Sequence, residues 1–142
     1  MPFCSAHRTP RAGVDPIRDA ATAMQVVELA MHHPPVAETV ALLLDHERRG
    51  LGLVVVSGTF HGDDVLEVAE CLSALSVDLD RLGGLVLATV RPGGVAHPDD
   101  GDRWLEMSDE CDQAGMELVE WFVVGGREVT CPRDLVGEPP RW

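Results

Sequence analysis

Lysine, asparagine and tyrosine are absent from this sequence of 142 residues, and Ile17 is its only isoleucine. Lacking lysine, the chain has no means of Schiff-base chemistry, of a P-loop phosphate contact or of a Ser-Lys mechanism. No apolar run approaches the roughly 20 residues that a membrane-spanning helix requires. The first residues, Met1 to Arg8, lack the apolar centre of a secretory leader, so a cytoplasmic location is expected.

Positive charge is scarce as well. Asp and Glu number 24 against 11 Lys and Arg, a net charge of −13. Direct nucleic-acid binding is disfavoured, because each contacted phosphate calls for a nearby cation. The balance suits solubility, and it also suits attraction to a basic partner or mimicry of a nucleic acid. The cysteines Cys4, Cys71, Cys111 and Cys131 form no C-x-x-C pair and no zinc-ribbon spacing. Cys71 and Cys111 fall on apolar helical stripes and are expected in the core. The redox state of Cys4 and Cys131, near the chain ends, is left open.

What is present describes one globular α/β domain: 45 % hydrophobic residues and a mean hydropathy of +0.03. Residues 1–14, without periodicity, read as a flexible N-terminal arm. Asp15 as N-cap and Pro16 at the first position predict a helix over 15–33, its stripe running through Ile17, Ala20, Met24, Val27 and Met31. Pro34-Pro35 ends it. Thr39–Leu44 and Leu51–Val56, joined by a polar turn, predict a β-hairpin. A helix follows over 64–75, then Leu85–Val90, apolar enough for a strand covered on both faces. Asp102 is expected to cap a third helix that Gly115 terminates. Two closing strands, Glu117–Val124 and Arg127–Cys131, meet at Gly125-Gly126. The expected domain spans 15–135, with 136–142 as an extended tail.

Leu42-Leu43-Leu44-Asp45 before a turn and second strand, Gly58-Thr59 before a helix, and Ala114-Gly115 before a strand come in an order that resembles the JAB/MPN metallopeptidase-like domain, in particular its RadC-like branch. The resemblance covers Val40 to Leu135. It implies a mixed β-sheet of about five to six strands flanked by helices, an α+β architecture of the cytidine-deaminase-like kind. That family's metal motif is His-x-His, seven residues, then Ser-x-x-Asp. Its spacing falls on Thr89-Val90-Arg91 and Asp99-Asp100-Gly101-Asp102, followed after Arg91 by Pro92-Gly93-Gly94. Both histidine positions and the serine position are replaced, by Thr89, Arg91 and Asp99; only Asp102 keeps its type. A catalytic zinc normally takes three protein ligands and an open position for water. One carboxylate beside the fixed cation of Arg91 does not provide them. The resemblance therefore implies a degenerate site with no metal, no cofactor and no catalytic residue.

Two further functional readings stand beside it. His97, Asp99, Asp100 and Asp102 lie within one short loop and are the candidates for a relocated metal site in a hydrolase, although their spacing is not that of an EF-hand. The charge balance suits an acidic binder of a basic or nucleic-acid-associated partner. Trp104, Trp121 and Trp142 are the candidate contact residues. The leading expectation is a non-catalytic interaction or scaffold module whose partner is another protein or a second copy of the chain, with no membrane partner and no nucleic acid bound directly.

Overall fold

Two consecutive apolar runs form an antiparallel hairpin because the polar residues between them close a tight turn. These are β1 (Glu38–Asp45) and β2 (Gly50–Ser57). Asp45 Oδ1 accepts the backbone N–H groups of Glu47 at 2.8 Å and Arg49 at 2.9 Å, and Arg48 takes the left-handed conformation (φ 69°) that the reversal demands. The computed structural model describes residues 9–94 and 96–142, so Cys4 and the first part of the predicted arm lie outside the described residues.

The remaining elements are α1 (Ala20–Glu28), α2 (Asp64–Ser76), β3 (Leu82–Val90), α3 (Asp100–Gln113), β4 (Glu117–Gly125) and β5 (Glu128–Thr130), with a short 3-10 helix at Pro132–Val136. The strands form one five-stranded mixed sheet in the order β2-β1-β3-β4-β5. β1 is antiparallel to both β2 and β3; α3 carries the chain across so that β4 runs parallel to β3. This is the expected α+β class, and the element order agrees with the sequence reading.

Alternation of side chains along the strands divides the core in two. On one face Ala41, Leu43, Leu85, Leu87, Leu118 and Trp121 pack against α2 and α3. On the other, Val40, Leu42, Leu44, Val86, Ala88 and Phe122 pack against α1. β3, covered on both sides, is buried almost throughout. Each fully buried Val or Leu contributes roughly 1.5–3 kcal/mol. No helix among the described residues is long and apolar enough to cross a membrane.

Several boundaries differ from expectation. α1 starts at Ala20, not at Pro16: Asp19 Oδ1 accepts the Thr22 N–H at 2.7 Å and is the true cap. Asp15 instead receives the Arg11 N–H, and Pro16 bridges to Arg49 in strand fashion while the Ile17 side chain drops into the core. The chain before α1 is thus drawn along the hairpin turn, and Gly13 N–H reaches Gly50 C=O at 2.9 Å. α3 starts two residues before Asp102, which lies exposed in the first turn and is not the cap. Cys71 is exposed on α2 and not a core residue, whereas Cys111 is buried.

The tail docks on its own fold. After the 3-10 helix it wraps the edge of β4 that β5, only 3 residues long, leaves unpaired. Arg141 donates to Leu118 C=O (2.9 Å) and Ser108 Oγ (2.8 Å), and its guanidinium lies 4.7 Å over the Trp104 ring. Trp142 is partly buried against the α1-side core. Trp104 and Trp121, both fully buried, are core residues and not contact surfaces, as their large apolar area favours.

Candidate functional site

The positions singled out by motif spacing lie where β3 ends and α3 begins. Pairing with β1 and β4 holds the end of β3 in place: Thr89 stands opposite Thr39 on one side and Val123 on the other, and Arg91 N–H bonds to Val124 C=O at 2.7 Å. Thr39, Thr89 and Trp121 all point to the α2/α3 face, because the period of two that directs Ala41 and Leu87 inward carries through to them. Gly58, with φ 77°, turns the chain out of β2 so that Thr59 meets the same spot.

A chain of hydroxyls results. Trp121 Nε1–H donates to Thr89 Oγ1 at 3.0 Å, Thr89 Oγ1 lies 3.3 Å from Thr39 Oγ1, and Thr39 Oγ1 lies 3.0 Å from Thr59 Oγ1. All four residues are buried. Their polar atoms satisfy one another, which removes the desolvation cost of burying them singly. Thr59 also opens onto a cleft of about 400 Å³ between β2 and α2, lined by Val54, Val56, Glu67, Cys71 and Leu72 among others.

Beside the hydroxyls stands an ion-pair network. The fully buried Asp100 carboxylate accepts two bonds from Arg91, at 2.7 and 2.9 Å, one from Arg103 at 2.9 Å and one from the His97 N–H at 2.7 Å. Arg103 reaches on to Asp63 at 2.9 Å, joining α3 to the start of α2. A Cβ at Gly62 would collide with that guanidinium, so glycine is what admits it. Burial pushes the Asp100 carboxyl upward, but the bonds from Arg91, His97 and Arg103 outweigh it and hold its pKa below the ordinary 3.8.

The relocated metal site does not assemble. Of its four candidates, Asp100 is turned inward and claimed by two guanidinium groups, while Asp99 and His97 pair with each other at the surface and Asp102 is exposed. Among the described residues no three His, Cys, Asp or Glu side chains converge as ligands. Within the hydroxyl chain each threonine is bonded to another hydroxyl or to indole, and among the described residues no imidazole or carboxylate is bonded to it.

Two side chains of these networks, Thr39 and Arg103, are not evident as polar-network members in the sequence. Thr39 had a usable signal, a hydroxyl on the inward phase of an apolar strand. Arg103 had none, since one arginine in an acidic helix reads as a solvated face. Two other buried carboxylates lie on the α1 side: Glu38, bonded by the His32 N–H (2.8 Å) with His32 Nδ1 at 2.6 Å, and Glu120, paired with Arg133 at 3.1 Å. The second pair ties the 3-10 helix to β4. No protein-family model matches the chain, and comparison with curated proteins finds no significant match.

Proposed function

We propose that this chain is a non-catalytic module of the JAB/MPN, RadC-like kind, a cytoplasmic protein that acts by contact with another protein. The observation that carries the reading is what fills the motif positions. Thr89 is bonded to Trp121 and lies next to Thr39, and Arg91 closes a bidentate pair with Asp100, so side chains that complete the core stand where ligands are needed. The five-stranded mixed sheet flanked by helices is of the class that the resemblance implies. Metal analysis of protein purified without added metal tests it: less than a tenth of an equivalent of zinc is expected, by the ligand requirement above, on the order of trace occupancy. Stoichiometric zinc together with metal-dependent cleavage of peptide or isopeptide substrates refutes it.

A second reading, the acidic binder of a basic partner, is favoured by one observation. The outer faces of α2 and α3 expose Glu67, Glu70, Asp102, Glu106, Asp109 and Asp112, and the only arginine of the two helices, Arg103, is turned inward. This reading requires capture of a basic protein that weakens steeply between low and physiological salt. Salt-indifferent capture counts against it.

A further inference from the structure

The protons of the buried hydroxyl chain can be counted. An indole nitrogen only donates, and each threonine hydroxyl carries one proton. Trp121 supplies the proton of its bond to Thr89, so the contacts from Thr89 to Thr39 and from Thr39 to Thr59 use two of the three hydroxyl protons. One proton is left over, and among the described residues no further acceptor is bonded to these hydroxyls. Thr39 and Thr89 are 0 % and 4 % exposed, and a proton stranded on either costs the full desolvation of that group. Thr59 ends the chain and borders the cleft between β2 and α2. The arrangement of lowest energy therefore runs from Trp121 through Thr89 and Thr39 to Thr59. It leaves the Thr59 O–H where an acceptor from outside the chain can reach it, and each bond behind it polarises that last donor.

The cleft beside this donor has the size and walls of a small-molecule site. Its volume of about 400 Å³ lies within the usual range, and such sites pair apolar walls with a few placed polar groups. Val54 and Val56 of β2 face Val68 and Leu72 of α2 across it, and the exposed Cys71 stands beside them. The charged residues that line it are Asp64 and Glu67. No arginine or histidine is among the lining residues, so nothing in the lining offsets these two charges. Carboxylate and phosphate groups are repelled from such a place.

We propose that the cleft between β2 and α2 binds a small, uncharged, apolar molecule through a carbonyl oxygen that accepts the Thr59 hydroxyl. Each part of the site selects one part of the ligand. The valines and Leu72 take the apolar body, the unmatched O–H takes an acceptor, and Asp64 with Glu67 restricts that acceptor to a neutral carbonyl. An ammonium group suits the two acids but brings only donors, and leaves the Thr59 proton unpaired. Thr39, Thr89 and Trp121 act as positioning residues that fix the direction of the Thr59 donor. The inference is independent of the family reading: a protein free of zinc that binds no such molecule leaves the proposed function standing and removes this one.

The test titrates the full chain with hydrocinnamamide, its carboxylate analogue hydrocinnamate and the cation phenethylamine, each followed by protein nuclear magnetic resonance. The amide is expected to saturate with a Kd on the order of 1 mM, as suits a ligand of this size. Hydrocinnamate and phenethylamine should bind at least about tenfold more weakly, for want of a neutral acceptor. Thr59→Val keeps the shape of the side chain without its donor, and should weaken the amide by about threefold to tenfold. Cys71→Trp sets a ring in the cleft from an exposed position and should abolish amide binding with an unchanged circular dichroism spectrum, leaving the hydroxyl chain intact. Saturating amide should also slow alkylation of Cys71 by iodoacetamide, mapped by mass spectrometry. No saturable binding of the amide, equal or tighter binding of either charged probe, full binding in folded Thr59→Val or Cys71→Trp, or alkylation of Cys71 unaffected by the amide overturns the inference.

Discussion

Replacement of Asp100 by alanine should destabilise the protein more than any other single change near the motif. The carboxylate is fully buried and receives four hydrogen bonds, three of them from guanidinium groups whose side chains are only 17 % and 13 % exposed. Removing one member of a buried ion pair leaves its partner's charge poorly compensated, at a cost of about 3–5 kcal/mol. Arg103 loses one hydrogen bond and Arg91 two. For a chain of this length that cost corresponds to a fall in Tm of about 10–17 °C. Urea unfolding followed by circular dichroism measures the free energy, and calorimetry the Tm. The pH dependence supplies an internal check. The folded pKa of Asp100 lies below its ordinary value, so its contribution is complete at pH 7 and is lost as pH falls through the folded pKa. The stability gap between the unmodified protein and Asp100→Asn should therefore narrow as the pH drops below about 4. The double variant Arg91→Met/Asp100→Leu should recover much of the loss, because apolar side chains of similar size often replace a buried pair without penalty. An Asp100→Ala cost under about 1 kcal/mol, the size of an exposed pair, refutes the argument that this network fills and holds the motif region.

Trp121→Phe keeps the ring's burial but removes the donor to Thr89, and should cost about 1–2 kcal/mol in urea unfolding; no change would mean that the hydroxyl chain is satisfied without it. Arg141→Ala removes the contact over Trp104 and the bonds to Ser108 and Leu118, and should cost about 1–3 kcal/mol with an altered near-ultraviolet spectrum from Trp104. Thiol labelling mapped by mass spectrometry should find Cys71 modified in the folded protein. Cys111 and Cys131 should react only on unfolding, since burial pushes both thiols up to about 11 and leaves roughly a thousandth as thiolate at pH 8. Rapid labelling of Cys111 in the native state would contradict its burial.

Local patterns made most of the fold legible. Apolar runs broken by Asp45 to Gly50 predicted the hairpin, the unbroken run of β3 predicted a strand covered on both faces, and Gly115 marked the end of α3. The errors have local causes. Asp15-Pro16 predicted the helix start, and the sequence offers no way to weigh that cap against the pairing of Pro16 with Arg49, which leaves the helix to begin after Asp19. Asp99, Asp100 and Asp102 are chemically alike, yet one is buried between two arginines and the other two face water. That choice depends on where Arg91 and Arg103 arrive, one from β3 and one from α3.

The sequence by itself determined the class of fold, the order of its elements and the absence of lysine chemistry. These follow from residue identity and short-range periodicity, which act within a turn or a strand. Only the tertiary structure decided that Thr39, Thr59, Thr89 and Trp121 form one hydrogen-bonded chain, that the tail closes the β4 edge, and that β2 stands at the edge of the sheet. Each of these depends on residues far apart in sequence coming together around the sheet, where burial favours the pairing of polar atoms.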